Sequence, residues 1–82
     1  MPENIHSTEV LLKELIEHQQ TKVLKIAREI VPDVTPEDIR NPQDFPDLVA
    51  DPLFNYEDGI LTGYLTLQTA IRKQTKTDKK DS

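Results

Sequence analysis

The chain has 82 residues, no cysteine and a formal net charge of −5, which excludes disulfide staples and thiolate chemistry. Hydrophobic residues make up 35% and aromatics 5%. One domain of this length hides only roughly 60–65% of the surface its unfolded form exposes, so a monomeric core is thin and self-association is the most direct way to bury more.

The charge is unevenly placed. Met1 to Ile71 carries thirteen Asp/Glu against five Lys/Arg, and Arg72 to Ser82 carries five Lys/Arg against two Asp. An acidic body with a short basic end repels nucleic acid over most of its surface. Met1 to Ser7 shows neither a basic leader nor an apolar run, so neither signal peptide nor membrane span is expected, and a cytoplasmic protein is. The expected organisation is a flexible N-terminus at 1–7, a helical hairpin domain at 8–74 and a disordered charged tail at 75–82.

The first long helix is predicted to start near Ser7, whose hydroxyl can accept from an unpaired backbone N–H, with Glu9 in the first turn. Leu12, Ile16, Val23, Ile26 and Ile30 recur at helical spacing, widened by Leu15 and Ala27. Pro32 ends the helix near Val31, because the residue before proline is driven out of the α region. Gln19 stands where the stripe calls for an aliphatic, either as a glutamine at a frayed or partly wet seam or as a buried amide. A buried amide there would penalise wrong helix registers, and on that view Gln19→Leu stabilises the fold while loosening its oligomeric state.

From Val31 to Asn55 the chain holds five of its six prolines. Thr35-Pro36-Glu37-Asp38 reads as N-cap, first-turn proline and acidic first turn, ended by Asn41-Pro42. A second single turn is predicted from Asp44-Phe45-Pro46-Asp47 through Ala50. Ile39, Phe45, Leu48 and Phe54 should fold back onto the helices.

The third element is predicted to open at Asn55, capped by that residue and followed by Glu57 and Asp58. Its main stripe is Tyr56, Ile60, Tyr64, Leu67 and Ile71, with Leu61 and Leu65 as a second ridge. One antiparallel neighbour covers too little of such a helix, so the second ridge is expected to meet another copy. Gly59 and Gly63 imply either close packing of the helix or a tolerated cost.

No arrangement specifies a catalytic chemistry or a cofactor. Glu14 and His18, at i and i+4, supply two groups where a metal site needs more, which leaves a solvated histidine or, as an alternative function, weak metal binding completed across a dimer. Eight acids between Asp33 and Asp58 face a single Arg40. Their spacing fails the helix–loop–helix calcium pattern, which leaves caps, solubilising charge or a surface for a basic protein. Arg72, Lys73, Lys76, Lys79 and Lys80 could contact phosphates in a nucleic-acid accessory protein.

The fold predicted is all-α: two long antiparallel helices joined by a Pro-rich connector with one or two short helical turns, doubled by dimerisation into a four-helix bundle. The expected function is a cytoplasmic protein-interaction module, an adaptor or accessory subunit. Its expected partner is a second copy, with a heterologous protein as the alternative, through Leu61, Leu65, Gln19, Gly63 and Tyr64.

Overall fold

In the computed structural model the chain is all helical among its described residues, which are 2–81 for the backbone and 7–74 for the side chains. Helix α1 spans Pro2–Ile30, α2 Pro36–Ile39, a 3-10 turn Pro42–Asp44, α3 Pro46–Ala50 and α4 Pro52–Asp81. Both long helices outrun their expected bounds. Residues 2–7, expected as a flexible end, lie within α1, and residues 75–81, expected as a disordered tail, lie within α4.

Proline explains the connector. Pro32 follows the end of α1, and Pro36, Pro42, Pro46 and Pro52 each stand at the first position of the element they open. There a missing N–H costs nothing and a fixed φ is already helical. Around α2 the predicted cap is a full capping box: Thr35 Oγ1 accepts from Asp38 N–H at 3.1 Å, and Asp38 Oδ2 accepts from Thr35 N–H at 3.0 Å.

The start of α4 differs from the expectation. Asp51 Oδ1 accepts from Phe54 N–H at 2.8 Å, so Asp51 is the N-cap and Pro52 the first helical residue. Asn55 instead donates from Nδ2 to the Val49 carbonyl at 2.8 Å, capping the end of α3. The Asp-Pro pair repeats the Thr-Pro device of α2 and outcompetes the later Asn signal.

The long helices pack antiparallel. Gln19 meets Glu57 near the connector, while Leu12 and Lys13 line one opening together with Gln68 and Ile71 near the other end. The molecule measures 49 × 19 × 19 Å. At about 10 Å per helix the short dimensions admit two helices and no third layer.

Leu12, Ile16, Val23 and Ala27 of α1 form the core with Val34, Ile39, Leu48, Phe54 and Leu61. Ile39, Leu48 and Phe54 fold back as expected; Phe45 is half-buried. Arg28 Nε donates to the Val34 carbonyl at 3.1 Å and ties the end of α1 to the connector.

The face of α4 that meets α1 is only partly the predicted one, with Tyr64 and Ile71 of the expected stripe packed against the core. Phe54, Glu57 and Leu61 are buried and Tyr64, Gln68 and Ile71 half-buried, whereas Tyr56 is 67% and Leu67 50% exposed. The predicted main stripe is thus partly outward, and Leu61 of the second ridge is inward. Two polar residues, Glu57 and Gln68, occupy the inward stripe, so a count of apolar positions alone could not find it.

Candidate functional site

Gln19 and Glu57 form the polar centre of the hairpin. Gln19 Nε2 donates to the Glu57 backbone carbonyl and to Glu57 Oε1, both at 2.8 Å. Lys22 Nζ stands 3.2 Å from Glu57 Oε2. The Gln19 hydrogen bond holds the Glu57 carboxyl below the usual carboxylate range; burial opposes this shift and Lys22 reinforces it. Burial pushes the Asp58 carboxyl up. Gln19 is therefore a buried amide, as one expectation had it, but the register its hydrogen bonds fix is that of α1 against α4 within one chain. Gln19→Leu would strand a buried acceptor, which reverses the stabilisation expected from the sequence.

On one flank of the α1–α4 seam lies an open groove of about 420 Å³. Leu61 and Leu65 of α4 line it with Val23 and Leu24 of α1 and Ile39 of α2; Glu17, Gln20, Thr21 and Arg40 form its polar side. Leu61 is buried by its own chain and Leu65 is 38% exposed. The two residues expected to contact a partner thus share one concave surface, of which only Leu65 remains substantially open.

The other flank carries an exposed stripe of α4. Successive gaps of three and four relate Leu53, Tyr56, Ile60, Gly63, Leu67 and Ala70, a heptad stripe centred about 100° round α4 from the face that meets α1. All are exposed except Ile60, which is half-buried. Thr66 and Thr69 donate back to the Thr62 and Leu65 carbonyls at 2.9 and 3.0 Å, so their hydroxyls are satisfied within the helix.

A Cβ at Gly59 or Gly63 would meet nothing within 4 Å. Packing within the chain requires neither glycine, yet each costs a helix ~1 kcal/mol relative to alanine. Tyr64 lies between the two surfaces, half-buried against the core.

Leu11 and Leu15 of α1 are 57% and 40% exposed, and helical periodicity sets Leu15 on this same flank. Leu15 is seven residues before Lys22, whose ammonium reaches Glu57, and seven residues bring a helix back to nearly the same face. Gln20 and Leu24, which line the groove, are on α1's opposite flank.

The remaining predicted sites are placed but not brought together. Glu14 and His18 are both exposed on α1, and among the described residues no group of three His, Cys, Asp or Glu side chains could hold a metal ion. Of the eight acids from Asp33 to Asp58, Asp38 and Asp51 serve as cap acceptors and Glu57 accepts from Gln19. Arg72 and Lys73 are exposed; Lys76, Lys79 and Lys80 lie outside the described side chains. Among the described residues no helix is long and apolar enough to cross a membrane. In comparisons with known proteins the chain matches no family model, no curated protein and no solved structure.

Proposed function

We propose that this protein is a small cytoplasmic protein-interaction module, an adaptor or accessory subunit that assembles as a homodimer in which two hairpins form a four-helix bundle. The supporting observation is the stretch Gly59 to Ile71. In a chain that is 30% charged it contains no Asp, Glu, Lys, Arg or His, yet α1 and the connector cover only part of its circumference. A helix without charge around its girth is ordinarily enclosed on more than one side. Here a second hairpin supplies the missing cover, and the groove along Leu61 and Leu65 offers a further apolar surface for a protein partner.

Light scattering tests the reading directly. The expected mass is twice the 9.4 kDa of the chain, with a dissociation transition on dilution. A monodisperse monomer persisting to millimolar concentration would overturn the homodimer.

A further inference from the structure

Resting on the homodimeric reading above, the geometry points to one particular seam: α4 of one copy packs antiparallel against α4 of a second, about a two-fold axis at Gly63. Leu15 of each α1 lies on the same side, and the Leu61/Leu65 groove is left on the outside.

Charge selects the occupant and its direction. The stripe from Tyr56 to Ala70 carries no ionisable group except the phenol of Tyr56, so two copies of it meet without repulsion. Beyond its ends the signs are opposite: Asp47 and Asp51 precede α4, while Arg72 and Lys73 follow the uncharged stretch. An antiparallel pair sets the basic end of each helix beside the acidic connector of the other, and the helix dipoles also oppose favourably. A parallel pair would set like charges together at both ends.

Side-chain size agrees. About an axis at Gly63, residues equally far before and after it face one another. Leu67 then meets Gly59, Tyr56 meets Ala70 and Ile60 meets Thr66, so each large residue is opposed by a smaller one. The glycine on the axis meets its own copy and lets the backbones approach, a role open to it because no atom of its own chain occupies the space beside it. The register also extends to α1. Gln19 is bonded to Glu57, and Leu12 lines one opening with Gln68, so along the antiparallel pair Leu15 falls close to the level of Gly63. An isologous pairing brings the two Leu15 side chains together above the axis and completes a square of four helices.

The absence of native cysteine makes single-cysteine cross-linking a direct test. Under mild oxidation Gly63→Cys is expected to form a disulfide-linked dimer, because only Cα atoms within about 7 Å can be bridged. Tyr56→Cys mixed with Ala70→Cys should give a mixed disulfide that neither forms with itself. Leu65→Cys should remain unlinked. Gly63→Leu should keep its helical circular dichroism while its dimer dissociation constant rises at least tenfold. Self-linkage of Tyr56→Cys means a parallel pair and overturns the seam, and linkage through Leu65→Cys moves the interface to the groove and overturns it too. A native dimer in which none of these pairs links overturns the seam but leaves the homodimer standing, whereas a monomeric native chain removes both.

Discussion

Glu57 shows how much one residue decides in so thin a molecule. A carboxylate on the inward stripe of α4 would be a defect if it were alone, since a buried charge is tolerated only when paired and hydrogen-bonded. Gln19 donates to both its side chain and its backbone carbonyl, and Lys22 closes the remaining oxygen. Sliding α1 along α4 by one turn would break all three contacts together. Gln19→Leu is therefore expected to lower the urea midpoint at pH 7 with little change in the transition's slope.

The pH dependence follows from the direction of the shift. Glu57's folded pKa is lowered, so the stability it contributes is fully present above the ordinary glutamate value of about 4.3. It is lost as pH falls through the lower folded value. Asp58, whose folded pKa is raised by burial, acts in the opposite sense, and its cost is relieved on acidification. Comparing native chain with Gln19→Leu between pH 7 and 3 isolates the Glu57 part: the native protein should lose its advantage over the variant at the acid end. A constant difference across that range would contradict the role given to the hydrogen bond.

At the scale of elements, the connector is built by repeating one rule at four starts, a proline at the first position of each short or long helix. Asp51 carries that rule for α4. Asp51→Ala should cost roughly 1 kcal/mol through loss of the N-cap, read as a lower midpoint in chemical denaturation. Asn55→Ala, which removes only the bond to the Val49 carbonyl, should cost less. The reverse order would restore Asn55 as the start of the helix. Much of this level was legible from sequence. The Thr35 capping box, the turn from Pro46 to Ala50 and the return of Ile39, Leu48 and Phe54 to the core all follow from local chemistry. The inward face of α4 was not, because Glu57 and Gln68 occupy positions that apolar periodicity counts as outward. Their pairing with α1 is a long-range fact that local spacing does not carry.

Across the described residues, the largest fully buried side chains are Phe54, Leu48, Val23 and Val34. All stand at the connector end. Toward the other end Leu12 is buried and Ile71 packs against the core, with no connector beneath them, and a smaller opening of about 190 Å³ is lined by Glu9, Lys13 and Arg72. Two rods fastened at one end by the connector and held at the other by their own seam alone should open like tweezers. Amide exchange should grade along them, with the slowest protons near Val23 and Ala27 and faster ones near Leu12, because local opening follows the density of buried contacts. Uniform protection along α1 would show the jaws to be locked throughout; graded protection would mean that the span between α1 and α4 can widen without the hinge coming undone.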